Sequence, residues 1–470
     1  MNIKFGTDGW RGLIAEDFTF ENVRICTQGL ADFLGASGNT KGEFLVGFDT
    51  RFLSRNFAET VSTVLAGNGI KVNIANQPTP TPVISFNTLK RRAIGAVIIT
   101  ASHNPFDWNG LKIKMGYGGS PTEETMLELE KYISRVESVK IAPLSSPLIN
   151  SFDPRMPYVD HISKFLDLSP IRNSQLNILC DPMFGAGSGY LPLILNGTKA
   201  HVSEIRNQIN PAFPGMQQPE PVLDNLQRLS KLVVDQNANV GIAYDGDADR
   251  LGIIDENGDY ISTLHVFSLL ALYFLEVRKI KGPIIKSITS SDMLFRLGEL
   301  YHVPVHETKI GFKHIGPVML EKDALIGGEE SGGYGYRGHI PERDGILSSL
   351  LFLDFMIKLE MSPAKLIKYL HNKVGEHYYM REDIKIVSTT KYDSAKNLIL
   401  NSNIRNIGKF KVLSSNRTDG LKLNLSEGWL AIRLSGTEPL LRVYAESNSA
   451  STTEYIVQNM RELTDLSLGG

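Results

Sequence analysis

Short apolar, β-branched runs alternate with longer helix-like segments through the first three quarters of the chain. The runs are 44-FLVGFD-49, 94-IGAVIIT-100, 176-LNILCD-181, 240-VGIAYD-245 and 284-IIKSIT-289. Continuous rather than alternating apolar positions mark strands covered on both faces, so the pattern predicts repeated α/β units with parallel or mixed sheets. Several runs end in Asp, Ser or Thr ahead of a glycine-containing loop. This gathers polar groups at strand ends, where open α/β sheets bind their ligands. The last hundred residues differ. The shorter alternating runs 429-WLAIRLS-435 and 440-LLRVYAES-447, with the helical pattern 453-TEYIVQNMREL-463, predict a smaller α+β domain.

A chain of 470 residues is long enough for three or four domains at about 150 residues each. Breaks are placed in the Pro/Ser-rich stretch 143–157, after the Asn-Gly turn of 255–260 and around 372–379, giving domains 1–150, 151–258, 259–372 and 373–470. The 49 Lys+Arg against 51 Asp+Glu leave a formal charge of -2, which argues against nucleic acid or an anionic membrane as partner. Cys26 and Cys180 fit neither a zinc pattern nor a disulfide framework. The first ten residues lack a signal-peptide layout, and the longest apolar run, 266-VFSLLALYFL-275, is too short for a bilayer and predicts a buried helix. A cytoplasmic protein, monomer or dimer, is expected.

Four loops carry chemistry. In 100-TASHNP-105, Ser102 follows a buried strand; it is either a turn residue, as Ser, Asn and Pro commonly are, or a strand-end nucleophile. In 245-DGDADR-250, three alternating carboxylates repel one another unless a cation lies among them. The spacing resembles an EF-hand, but Arg250 stands where the loop needs glycine and strands flank it, so Mg²⁺ with open positions for a phosphate oxygen fits better. The glycine-rich 327-GGEESGGYGYRGHIPERDG-345 offers Glu329, Ser331, His339, Arg343 and Asp344, a donor and acceptor set suited to sugar hydroxyls. In 433-RLSGTEPLLR-442, the backbone and hydroxyls of Ser435, Gly436 and Thr437, with Arg433 and Arg442, suit a phosphate. The glycines of 181-DPMFGAGSGY-190, with Glu204 beyond, imitate a dinucleotide fingerprint, but Tyr190 occupies the last glycine's place.

The set 5-FGTDGWRG-12, 100-TASHNP-105, 245-DGDADR-250, 328-GEESGG-333 and 433-RLSGTEP-439, spread over the whole chain, resembles the α-D-phosphohexomutase family of phosphoglucomutases and phosphomannomutases. The resemblance implies four domains round a central cleft, three related α/β mixed-sheet units plus a smaller C-terminal α+β domain. It implies that Ser102 carries a phosphoryl group, that Asp245, Asp247, Asp249 and the phosphoserine hold Mg²⁺, and that glucose 1,6-bisphosphate is the intermediate and activator. Arg11, His103, Lys112 and Arg250 would surround the transferring group, with Lys112 as general acid/base, for which its pKa would have to be lowered, as clustered cations can do. Glu329 and Ser331, with Lys309, Lys313 and Arg343, would meet the sugar, and Arg433, Ser435, Gly436, Thr437 and Arg442 the distant phosphate of a hexose phosphate substrate. Gly333, where the mannose branch usually has His, points to glucose and a phosphoglucomutase. A glucose 1,6-bisphosphate synthase using a donor such as fructose 1,6-bisphosphate, and a phosphomannomutase, are the alternatives.

Overall fold

The structure, a computed structural model, describes residues 3–6, 8–386, 389–434 and 440–468. Four sheets follow one another along the chain. The first runs in the order Trp10–Leu13, Trp108–Met115, Gly95–Ile99, Glu43–Phe48, Lys71–Ala75, Ile149–Phe152. The second runs Tyr260–Ile261, Leu251–Ile254, Val240–Tyr244, Asn177–Asp181, His201–Glu204. The third is Val305–Thr308, Ile284–Ser287, Ile326–Gly328, Tyr334–Tyr336. All five apolar runs lie on strands of these sheets.

The first three sheets share one design. Parallel strands form the middle, and the last of them turns back into an antiparallel neighbour: Gly95–Ile99 into Trp108–Met115, Val240–Tyr244 into Leu251–Ile254, Ile326–Gly328 into Tyr334–Tyr336. Each return leaves one polar loop at a strand end. Residues 100–107, 245–250 and 329–333 are therefore the same structural position in three successive units.

The fourth sheet is antiparallel throughout, Tyr378–Lys385, Leu440–Ser447, Gly428–Leu434, Leu421–Leu425, Phe410–Asn416, Asn406–Ile407, and one face packs on the helix Ala450–Leu468. Its alternation of apolar and polar positions matches a sheet with one face in a core.

Helices obey the same logic. Leu223–Asp235 buries Leu226, Leu229 and Val233, one stripe at helical spacing. The run 266–275 is buried on all sides, in the helix Thr263–Leu272 and the π-helical turn Tyr273–Val277, and starts at Ser262, whose side chain accepts the His265 N–H. One core joins the second and third units and takes in Val83 and Phe86 of the first, while the first unit's sheet and the fourth unit each pack round a core of their own. Among the described residues no helix is long and apolar enough to cross a membrane.

The second and third units are locked by Tyr158, whose hydroxyl donates to both oxygens of Asp344 at 3.0 and 2.8 Å. Asp344 also caps the buried helix Gly345–Leu359 by accepting the Leu347 N–H at 2.8 Å. Hydrogen bonds to charged groups contribute about 1.5–3 kcal/mol. Tyr158→Phe should therefore weaken this junction by that amount, read as faster amide hydrogen exchange in 155–165 and 345–359 with little change in the fourth unit.

Candidate active site

The three returning loops meet at one place. Thr81, which opens a buried helix of the first unit, donates its backbone N–H to the Asp247 carbonyl at 3.0 Å and its hydroxyl to Asp247 Oδ2 at 2.5 Å. Leu251 N–H reaches the Gly332 carbonyl at 3.0 Å, and Gly345 N–H the Ala248 carbonyl at 3.1 Å, tying the second unit's loop to the third unit. Ser102 is buried three residues past the end of its strand, with a left-handed backbone (φ +50°). Its hydroxyl donates to Asp245 Oδ2 at 2.7 Å and lies 3.3 Å from His103 Nδ1. A Cβ at residue 246 would stand 2.4 Å from the Ser102 carbonyl oxygen, so only glycine permits this approach of the two loops.

Asp245, Asp247 and Asp249 are fully buried, with one oxygen of each inside a span of 4.8 Å. Asp247 Oδ1 and Asp249 Oδ1 are buried and have no hydrogen-bond partner among the described residues. Carboxylate oxygens converging without donors fit a hard divalent cation. Asp245 Oδ1 is committed to the N–H groups of Asp249 and Arg250, which leaves Oδ2 to face Ser102.

Cations already crowd the trio. Lys112 Nζ lies 2.7 Å from Asp247, 3.0 Å from Asp249 and 2.7 Å from Asp8. Burial alone would lower the Lys112 pKa, but the carboxylates of Asp247, Asp249 and Asp8 outweigh it and raise it above the usual lysine value. This overturns the expected lowering: the sequence shows the cations of the site, whereas the groups that touch Lys112 are three carboxylates from other loops. Burial pushes Asp245 well above the usual carboxylate range, helped by the charges of Asp249 and Asp247. Burial also acts to raise Asp247, yet the Lys112 ammonium holds it below that range. His103 is kept well below its ordinary value by burial and by Arg250, Arg11 and Lys112, so it is neutral at pH 7. Arg250 pairs with Glu220 at 2.5 Å, and Arg11 donates to Asn104 Oδ1 at 2.6 Å.

In the third unit, Glu329 accepts the Gly311 N–H at 2.7 Å, fixing the loop that bears Lys309 and Lys313. Lys309 itself points to Glu123, at 3.7 Å, and Ser331 is half-buried on the turn. Arg343, expected to meet the sugar, is almost completely buried. Its guanidinium is engaged by Asp8, by Asp249 at 2.9 Å, by Glu342 at 3.2 Å and by Glu329 at 3.6 Å, so it braces the trio against the sugar loop. A Cβ at residue 333 would lie 2.2 Å from the Arg343 side chain, which is the physical reason for glycine there.

Arg433 and Arg442 are cross-strand partners, and Asp383 stands opposite Arg442 on the next strand. Like charges side by side repel unless anions intervene; here Asp419 holds Arg433 at 2.9 Å. Asp419 also accepts the Ile310 N–H at 3.0 Å, joining the fourth unit to the loop of Lys309. Ser435, Gly436 and Thr437 lie outside the described residues.

The glycines of 181–190 serve packing. A Cβ at Gly185 would meet Gly246, one at Gly187 would meet Ala248 and Tyr244, and Glu204 accepts the Gly189 N–H, so the segment backs the 245–250 loop. Asp8, Thr81 and Glu342 complete the centre without being singled out; Asp8 and Glu342 lie inside stretches already marked, 5-FGTDGWRG-12 and 327-GGEESGGYGYRGHIPERDG-345, and Thr81 in none.

Burial raises the Glu329 pKa to about 7, with Arg343 opposing and Glu330 adding to the rise. An unfolded glutamate titrates near 4.3. Its folded value being higher, the unfolded chain loses its proton first, so this residue costs stability progressively as pH rises from about 4.3 to about 7. Glu329→Gln should remove that loss: its thermal midpoint, relative to wild type, should climb between pH 5 and pH 8 and then level off.

Four profiles match the chain in sequence order: phosphoglucomutase/phosphomannomutase alpha/beta/alpha domain I over residues 2–140, domain II over 156–258, domain III over 263–374, and the C-terminal domain over 396–463. A probable phosphoglucosamine mutase of Methanobrevibacter smithii is 33% identical over 96% of this chain and 96% of its own length. A phosphoglucomutase/phosphomannomutase of Thermococcus kodakarensis is 28% identical over 99% of both. The crystal structure of a phosphoglucomutase/phosphomannomutase family protein from Burkholderia thailandensis, 21% identical, superimposes with a TM-score of 0.84 over 99% of this chain and 98% of that one, which shows a shared fold. On the profile matches and the full-length relatives, the chain belongs to the phosphoglucomutase/phosphomannomutase family and is an intramolecular phosphotransferase of the phosphohexomutase type.

Proposed function

We propose that the protein is a phosphoglucomutase, interconverting glucose 1-phosphate and glucose 6-phosphate through a phosphorylated Ser102 and a glucose 1,6-bisphosphate intermediate. The observation that carries this reading is the Ser102 hydroxyl, buried at a strand end and held 2.7 Å from Asp245 within a carboxylate trio that has two oxygens to spare. Asp245, Asp247, Asp249 and an oxygen of the phosphoserine would hold Mg²⁺, which when bound neutralises charge on the transferring group.

A sugar hydroxyl attacks phosphorus, the bond from phosphorus to Ser102 Oγ breaks, and the hydroxyl's proton ends on Oγ, with Lys112 as relay. Because its neighbours keep Lys112 an ammonium, the relay starts by donation to Oγ and finishes by uptake from the sugar. Arg11, His103 and Arg250 line the transferring group. Glu329 and Ser331 hold sugar hydroxyls beside Lys309 and Lys313, Arg343 steadies Glu329, and Arg433, Ser435, Gly436, Thr437 and Arg442 grip the second phosphate. The bisphosphate then turns over so that its other phosphoryl group returns to Ser102. Closure of the fourth unit over the substrate keeps water from the phosphoserine.

The choice of glucose rests on Gly333, which stands where the mannose branch usually has His, and on 338-GHIPERDG-345 downstream. A second reading, glucosamine phosphate as substrate, is favoured by the name of the Methanobrevibacter relative. Phosphorus NMR with Mg²⁺, a trace of glucose 1,6-bisphosphate and glucose, mannose or glucosamine 1-phosphate separates the cases. Glucose 1-phosphate should convert fastest, at constant bisphosphate, and Ser102→Ala should abolish conversion while still binding the sugar phosphate. Faster glucosamine turnover would replace the assignment, and net bisphosphate formation from fructose 1,6-bisphosphate would make the protein a bisphosphate synthase.

A further inference from the structure

What meets the Ser102 hydroxyl and what holds the Ser102 backbone are different parts of the molecule. A residue with a side chain at φ +50° persists only where its surroundings over-determine it. The loop 100–107 supplies little of that itself: Ser102 N–H donates to Thr100 Oγ1 at 2.9 Å, and Asn104 N–H to the Ala101 carbonyl at 3.0 Å. The larger constraint comes from Arg51, which is almost completely buried. Arg51 Nη2 donates to the carbonyls of Ser102 at 2.7 Å and Asn104 at 2.6 Å, and Nη1 to those of Pro105 at 2.7 Å and Trp108 at 3.0 Å. Two forked nitrogens thus fix four carbonyls across the entire turn.

Arg51 is itself fixed from two sides. Asp49, just past the strand Glu43–Phe48, stands 3.2 Å from its Nε and accepts its backbone N–H at 2.9 Å, while Ser54 holds the same carboxylate at 2.7 Å. From the second unit, the buried ring of Phe213 covers the guanidinium, with its centroid 5.1 Å from the central carbon. An aromatic face over a guanidinium attracts it and shields its hydrogen bonds from water. Lysine has no planar fork and cannot copy four bonds in this geometry.

We propose that Arg51 is the positioning residue for phosphoryl transfer: by holding the carbonyls of Ser102, Asn104, Pro105 and Trp108 it sets the direction in which Ser102 Oγ leaves the backbone, with Phe213 keeping the guanidinium in plane from the neighbouring unit. This rests on the reading of Ser102 as the phosphoryl carrier. Arg51 touches neither the sugar nor the reacting atoms, so its loss acts on geometry and leaves substrate capture to the other units.

The test is steady-state kinetics and the phosphoserine phosphorus resonance of full-length wild type, Arg51→Lys and Arg51→Ala. A misplacement of about 1 Å at a reacting group costs on the order of 100-fold in rate. Arg51→Lys should lose that much kcat with KM changed less than about threefold, a shifted or broadened phosphoserine signal, and an unchanged circular dichroism spectrum. Should Arg51→Ala fail to fold, Arg51→Lys carries the test. Full kcat with a wild-type resonance in Arg51→Lys overturns the proposal, as does a loss of kcat matched by an equal loss of folded protein. A wild type that turns over hexose phosphate with no phosphoserine signal overturns the reading beneath it, and the proposal with it.

Discussion

Three carboxylates taken wholly out of water within a span of 4.8 Å are the constraint round which the molecule is arranged. Such charges cannot share a buried loop without cations, and no single unit of this protein supplies enough of them. Lys112 comes from the first unit, Arg250 from the loop itself and Arg343 from the third, and the second-order carboxylates Asp8, Glu220 and Glu342 balance those cations in turn. The result is an interlocked set of charges spanning three units. The same set leaves Asp245 directed at Ser102 and, among the described residues, two buried carboxylate oxygens without a hydrogen-bond partner, an arrangement that could hold a divalent cation.

Close approach is the second condition. The hairpin loops reach each other because Gly246, Gly333 and Gly345 place no side chain where a neighbouring backbone or the Arg343 stem runs. Left-handed backbone at Ser102 and Ala248 sits on either side of that contact. Strain of this kind is stored where the rest of the fold can hold it, and Ser102 and Ala248 are two such positions among several along the chain.

Much of this was legible in the sequence, for reasons that can be named. Strands covered on both faces give continuous apolar runs, so the middles of the first three sheets stood out. Ile149–Phe152 did not, because INSF is polar and lies among Pro and Ser; it is a strand through its pairing with Lys71–Ala75 alone. The loop residues Ser102, Asp245, Asp247, Asp249 and Glu329 stood out as candidates because each follows an apolar run or lies in a motif of unusual spacing. The environment of Lys112 was misjudged, since its partners lie 135 and 137 residues away and charge clustering along the chain says nothing about them. Thr81, Arg51 and Glu220 left no local mark; their importance arises from carbonyls and charges that reach them from other segments.

The repetition of one hairpin in three successive units also bears on how the protein comes into being. Ser102 and Asp245 are 143 residues apart, and Lys114 and Glu342 are 228 apart, so the centre is built from contacts that an emerging chain makes last. A nascent chain that has completed only its first unit carries Ser102 and Lys112 but neither the trio nor Arg250 and Arg343. The buried charges are therefore balanced only once the third hairpin has docked. Non-local contacts of this length slow folding. In return, the assembled charge cluster is a property of the finished molecule and of no single unit.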